Sequence, residues 1–353
     1  MSIRVEPTVH GAIDFAELEK LGIHPNDVLD FSVNSNPFGP SHLVWDAIRS
    51  TPLERYPDRE SIALRHAISK RLDILPEQIV TGNGTAELIQ ITAFAFFQKG
   101  DHALILEPTF GEYERCARLA GANLHRWCAI PENGFIPQPI EIQKKLNERD
   151  MRLVFICNPN NPTGQVLSLD ALKDWAYACP DTLFVVDEAY LAFVPDIHSA
   201  ISLRSKNILV LRSMTKDYAI AGLRLGYAIG DVTVIEALTN FRPAWNVNAL
   251  AQAAGLAALQ DEAYLIETLA MLRNEKEILI SGLKELGYDP VPSQTHYFLL
   301  PVENGAQFRR KLLKRGILVR DCASFGLPSY VRIATRKPEE NARLLHAIKE
   351  TQG

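Results

Sequence analysis

Cysteine is scarce in this chain: Cys116, Cys128, Cys157, Cys179 and Cys322 are the five in 353 residues, and no two form a CxxC pair. That spacing excludes a structural zinc site and a disulfide framework, and it points to a reducing, cytoplasmic setting. None of the nine histidines stands in an HExxH or similar spacing, so no metal centre is expected. The longest apolar runs, such as Ala93-Phe94-Ala95-Phe96-Phe97, are far too short to cross a bilayer. The N-terminal stretch MSIRVEPTVHGAIDF lacks the apolar centre of a signal peptide. Positive charge is also short, with 37 Lys and Arg against 42 Asp and Glu, a net charge of -5 and no basic tract. Neither nucleic acid nor an anionic membrane surface is expected as a partner. No internal repeat or low-complexity segment is present.

What is present is an ordinary globular composition, 47% hydrophobic and 22% charged, in a chain long enough for two domains. Short apolar runs at 102–107, 153–158, 183–187, 208–212 and 226–229 do not alternate with polar residues, as expected of strands buried on both faces of a parallel sheet. Amphipathic stretches at 111–119 and 169–178 read as crossover helices. After Asn246 the pattern becomes long helices, 249–259 and 262–286, followed by strand-like runs at 296–302, 317–320 and 330–334. The expectation is an α/β fold. A large domain with a mostly parallel sheet spans 46–244, and a smaller α+β domain is built from both termini, 1–45 and 245–353. The first 48 residues show little strand–helix alternation of their own and are expected to pack with the C-terminal part.

The most informative stretch is Ser213-Met214-Thr215-Lys216-Asp217-Tyr218-Ala219-Ile220-Ala221-Gly222-Leu223-Arg224, which follows a buried strand. A lysine among apolar neighbours has a depressed pKa and serves as nucleophile and base. Just upstream, Asp187-Glu188-Ala189-Tyr190 closes another apolar run, and a buried carboxylate calls for a cationic partner. Together these residues match the needs of pyridoxal 5′-phosphate (PLP). Lys216 would form a Schiff base, Ser213 and Arg224 would take the phosphate, and Asp187 would pair with the pyridine nitrogen. Thr81-Gly82-Asn83-Gly84-Thr85 precedes a helical stretch whose N-terminus would face an anion, with Thr85 adding a hydroxyl. It is neither a P-loop nor a dinucleotide fingerprint, since Glu87 stands in place of the third glycine. Phe110 lies at the carboxyl end of a strand, where its ring could stack on a pyridine; a plain core phenylalanine is the alternative. Asn161, in Asn158-Pro159-Asn160-Asn161-Pro162-Thr163-Gly164, and Tyr190 could both reach a phenolic oxygen, and Tyr56 could reach a phosphate. His10, Arg320, Arg332 and Arg336 are the basic candidates for a substrate. Alternation along Tyr330–Arg336 would put Arg332 and Arg336 on one face, suiting a polyanion, with a solvated strand face as the alternative.

In this order the motifs resemble the fold-type I PLP enzymes, the aspartate aminotransferase superfamily, over nearly the whole chain. Within it the chain is similar to the histidinol-phosphate aminotransferase branch and, more narrowly, to the L-threonine-O-3-phosphate decarboxylases. The features that carry this are His10-Gly11, Val28–Pro37, Arg55-Tyr56-Pro57, Trp245–Ala249 and Arg320–Phe325. The resemblance implies a phosphate cup of Gly84, Thr85, Ser213, Thr215 and Arg224, completed by Tyr56 from the partner subunit of a homodimer. It implies Phe110 stacked on the ring, Asn161 and Tyr190 at the phenolic oxygen and Asp187 at the ring nitrogen. It places His10, Asn34, Arg320, Arg332 and Arg336 around a small phosphorylated substrate. One departure is that those decarboxylases carry HGGN near the start, where this chain reads His10-Gly11-Ala12-Ile13.

The first expectation is therefore decarboxylation of L-threonine O-3-phosphate for the cobalamin side chain. The alternative is a histidinol-phosphate or related aminotransferase using 2-oxoglutarate and glutamate. The two differ in which Cα bond stands perpendicular to the cofactor ring. A PLP-sensing regulator, the non-enzyme reading, would need a DNA-binding domain for which there is no room before Asp30.

Overall fold

A computed structural model describes residues 5 and 7–352. Among the described residues twelve strands form three sheets. They are β1 (Leu29–Asp30), β2 (Ile79–Gly82), β3 (His102–Glu107), β4 (Asn123–Cys128), β5 (Met151–Cys157), β6 (Leu183–Asp187), β7 (Ile208–Ser213), β8 (Gly226–Ile229), β9 (Tyr297–Pro301), β10 (Ile317–Leu318), β11 (Arg320–Asp321) and β12 (Tyr330–Ala334). The main sheet has seven strands in the order β2-β8-β7-β6-β5-β3-β4. All its pairings are parallel except those made by β8, which runs against both neighbours.

Both faces of this sheet are covered, which is why its central strands read as unbroken apolar runs. Along β5 and β6 successive side chains point to opposite sides. Leu153, Phe155 and Val185 meet the helices Gly84–Phe96, Glu112–Leu119 and Val232–Phe241. Val154, Ile156, Phe184 and Val186 meet Pro139–Asn147 and Leu169–Ala178. The fold is the expected α/β type with a mostly parallel sheet.

Two strands escape the sequence pattern. β2 is only four residues long, and the edge strand β4, Asn-Leu-His-Arg-Trp-Cys, is largely solvated. The run at 317–320 is not one strand either. Ile317–Leu318 pairs in parallel with β1, whereas Arg320–Asp321 pairs antiparallel with β12 in the sheet β11-β12-β9. The first 48 residues are more regular than expected: they contain the helix Phe15–Leu21, strand β1 and most of the helix His42–Ser50. Phe31 then joins Leu279, Phe298, Ile333 and Leu344 in a core far along the chain.

The connections that matter lie at one edge. Those after β2, β3, β5, β6 and β7 all leave the carboxyl ends of parallel strands, where open α/β sheets hold their ligands.

Candidate active site

Lys216 sits in the connection from β7 to β8, close behind Ser213. Burial brings its amine down to about 8, with the Arg332 and Arg224 guanidiniums adding to the shift and Asp187 opposing it. Among the described residues its Nζ has no hydrogen bond or ion pair. Its backbone is anchored, because Asn36 N–H donates to the Lys216 carbonyl at 2.8 Å. The Asn36 amide donates to the Asp217 carbonyl at 3.1 Å and to Thr268 Oγ1 at 2.9 Å.

Asp187, at the end of β6, is 3% exposed, and burial pushes its carboxyl up to about 6. Its two hydrogen bonds come from neutral donors, Tyr113 Oη at 2.8 Å and the Ala189 N–H at 3.0 Å. A buried carboxylate without a cation is costly, so this one is ready for a cationic partner.

A concavity for an anion forms around Gly84. The helix Gly84–Phe96 starts without a side-chain cap from Asn83, so its first N–H groups are free. A Cβ on Gly84, whose φ is +76°, would lie 2.5 Å from Arg224 Nη2. A Cβ on Gly226 would lie 2.9 Å from the Thr85 nitrogen and 3.0 Å from the Arg212 carbonyl, and Gly226 pairs with Ser213 across β7 and β8. Ser213 and Thr215 share a hydrogen bond of 2.7 Å between their hydroxyls. Gly84, Thr85, Ser213 and Arg224 thus come together as the sequence led one to expect.

Asn161 and Tyr190 are buried, and Asn161 Oδ1 accepts from Arg332 Nη1. Burial raises the Tyr190 phenol above its ordinary range, and its ring meets Tyr297 edge-on at 4.9 Å. Asn34 lies beside that phenol, 2% exposed, and among the described residues neither of its amide atoms meets the geometry of a hydrogen bond. Phe110 packs edge-on to Tyr113 at 5.7 Å.

The basic candidates fall into different settings. Arg320 and Arg332 are cross-strand partners on β11 and β12, both buried. Their acceptors are all neutral: Val9 O and Ser324 Oγ for Arg320, Asn161 Oδ1 and Ser32 O for Arg332. Among the described residues Arg332 Nε has no hydrogen-bond partner, and burial, with the Arg332 charge adding to it, brings Arg320 down to about 10. Arg336 does not extend this face, because β12 ends at Ala334. Its guanidinium is engaged by Glu340 at 3.0 and 3.1 Å and by the Asp30 carbonyl at 2.9 Å. His10 contacts Glu112 at 3.1 Å and lies 5.5 Å from Phe110, ring centre to ring centre. Tyr56 is 81% exposed and stacked at 4.7 Å on Trp245.

Three residues at the site went unnoticed in the sequence. Tyr113 stands three positions after Phe110, where a helical tyrosine carries no signal of its own. Glu188 and Arg212 form an ion pair of 2.9 Å, with the Glu188 side chain fully buried. The same carboxylate accepts from Ser199 Oγ and the Ala200 N–H, both at 2.7 Å. This pair ties the turn carrying Asp187 and Tyr190 to the strand end carrying Ser213. The adjacency of each to a cofactor candidate was the available clue.

These residues fit PLP: an amine free to bond an aldehyde, a buried carboxylate lacking a cation, and an anion cup at a helix N-terminus. Comparison with known proteins agrees. Residues 26–348 match the family Aminotransferase class I and II. A histidinol-phosphate aminotransferase of Anaeromyxobacter sp. (strain Fw109-5) is 36% identical over 93% of this chain and 92% of its own. Relatives from 31% to 36% identical carry that name. The crystal structure of histidinol-phosphate aminotransferase from Sinorhizobium meliloti in complex with pyridoxal-5′-phosphate has the same fold. Its TM-score is 0.86 at 24% identity, covering 95% of this chain and 93% of that one. The L-threonine-O-3-phosphate decarboxylase of Porphyromonas gingivalis also superimposes, with TM-score 0.81 and 27% identity over 91% of this chain and 98% of that one. The decarboxylase expectation is nevertheless overturned. The sequence relatives at 31% to 36% identity are histidinol-phosphate aminotransferases, so His10-Gly11, Val28–Pro37, Arg55-Tyr56-Pro57, Trp245–Ala249 and Arg320–Phe325, which carried that expectation, do not single out the decarboxylases.

Proposed function

We propose a transamination for this chain, which belongs to the class I and II aminotransferase family: transfer of an amino group between histidinol phosphate, or a closely related phosphorylated amine, and 2-oxoglutarate. The chain is a PLP-dependent enzyme. Bound PLP supplies an electron sink conjugated to the substrate's amine-bearing carbon. Gly84, Thr85, Ser213, Arg224 and the helix N-terminus would hold its phosphate. Phe110 would cover its ring, and Asn161 and Tyr190 would reach its phenolic oxygen. Asp187 would hold the ring nitrogen protonated by lending it a negative charge.

Lys216, with its amine near 8, is partly neutral at physiological pH and can take the proton from the substrate Cα and return it. The observation that carries the substrate reading is the Arg320–Arg332 pair. Two buried guanidiniums whose acceptors are all neutral leave positive charge uncompensated, and guanidinium forks suit phosphate and carboxylate alike. One such site serves a phosphorylated amine in one half-reaction and a dicarboxylate in the other. Asn34, with its amide unengaged, and His10 at the mouth complete the reading; Arg336, held by Glu340, supports the segment from behind.

The same reading includes a homodimer in a reducing cytoplasm. Leu53, Tyr56, Ile62, Phe241 and Trp245 are all exposed apolar side chains from two neighbouring stretches, and a second copy would cover them. Tyr56 would then enter the partner's phosphate cup. No helix among the described residues is long and apolar enough to cross a membrane. The division into 46–244 and 1–45 with 245–353 is supported by the pairing of β1 with β10. Its boundary is open at Ala249–Gln260, which packs with the large part through Leu64 and Ile68.

The test is glutamate formation from 2-oxoglutarate on adding histidinol phosphate to the PLP-loaded protein. Turnover is expected, and Arg332→Ala should raise KM for the phosphorylated amine by roughly tenfold or more while leaving PLP bound. Absence of glutamate, or carbon dioxide release from L-threonine phosphate in its place, would overturn the reading.

A further inference from the structure

We propose that Tyr113 is a positioning residue that keeps the Asp187 carboxylate aimed at the cofactor's ring nitrogen and ionised. The inference rests on PLP as cofactor and is independent of which amine is the substrate.

The geometry is specific. Tyr113 Oη donates to Asp187 Oδ2 at 2.8 Å, while Oδ1 is taken by the Ala189 N–H. The carboxylate is therefore fixed at both oxygens, and both donors are uncharged. That distinction matters chemically. A lysine or arginine here would neutralise the carboxylate and remove its attraction for a ring N–H. A phenol stabilises the anion by one hydrogen bond and leaves its charge available.

Tyr113 cannot give way easily. It is 1% exposed and stacked on Phe155 at 5.3 Å with an 11° interplanar angle. Its edge meets Phe110 at 5.7 Å, so the same ring braces the proposed stacking residue and the proposed nitrogen anchor. Burial holds its own phenol well above the ordinary range, so it stays a donor throughout the working pH range. Behind it the Cys157 thiol is pushed up to about 12 by burial, so no thiolate competes for the hydroxyl proton.

The experiment compares PLP affinity in the wild type and Tyr113→Phe from pH 6 to 9, by titrating the cofactor-free protein and following the visible band. Loss of the phenol moves the Asp187 carboxyl further up, so fewer sites are ionised near neutrality. The variant should bind PLP roughly tenfold more weakly at pH 6.5, with the gap closing as pH rises and Asp187 ionises regardless. A gap that is constant with pH would mean lost packing alone and would overturn the proposal; so would unchanged affinity. On an Asp187→Asn background, Tyr113→Phe should cause no further pH-dependent loss, because its target is gone. Should Tyr113→Phe fail to fold, 3-fluorotyrosine at position 113 keeps shape and stacking while strengthening the donor. It must shift the pH midpoint downward, and an unmoved midpoint would overturn the proposal equally.

Discussion

Two acids lie near Lys216, and both are pushed up by burial: Asp187 to about 6 and Asp217 to about 7, from an ordinary 3.8. An acid whose folded-state pKa lies above its unfolded one stabilises the fold below the unfolded value and loses that contribution as pH rises through the folded value. The cofactor-free protein should therefore melt at lower temperature at pH 7.5 than at pH 5. Asp217→Asn should remove part of that fall, roughly 5 °C of it. An undiminished fall in the variant would show that Asp217 is ionised in the folded state without penalty. Lys216, Asp187 and Arg224 were visible in the sequence because their charge follows apolar runs. Tyr113 was not, since a tyrosine at the start of a helix is ordinary until its hydroxyl is seen on Asp187. Arg336 was misplaced for the opposite reason. Period-two counting continued past Ala334, where the strand had already ended.

At the scale of elements, the central strands β3, β5, β6 and β7 were legible because burial on both faces forces an unbroken apolar spelling. The edge strand β4 has no such constraint, and the division of 317–320 between two sheets depends on β1, almost three hundred positions before it, taking Ile317–Leu318 away from β12. The Glu188–Arg212 pair belongs at this scale, since it clamps the end of β6 to the end of β7. Glu188→Gln removes the carboxylate paired with Arg212 and should cost about 2–3 kcal/mol of unfolding free energy. Urea denaturation measures this, and a loss below about 1 kcal/mol would mean that solvent compensates the guanidinium.

For the whole molecule, the exposed Tyr56–Trp245 stack is the part of the proposed site that a single chain leaves unused. Tyr56→Ala should weaken PLP retention several-fold with the fold intact. Mixing it with an inactive Lys216→Ala chain should restore roughly a quarter to a half of the sites if each cup borrows a tyrosine from the other copy. No recovery on mixing would place Tyr56 outside the shared site. The alternation of elements indicated that the chain folds as a sheet wrapped by helices, but not which distant stretches close over the lysine.

That closure has a consequence for the order of events during synthesis. The Lys216 carbonyl is held by Asn36, Asn36 by Thr268, β1 by β10, and Arg332 joins Ser32 to Asn161. A ribosome that has released residue 230 has already delivered the whole main sheet and the lysine, yet none of the later anchors. A nascent chain at that point would present a reactive amine without its enclosure. The enclosure is complete only when the last strand brings Arg332 onto Ser32 and Asn161.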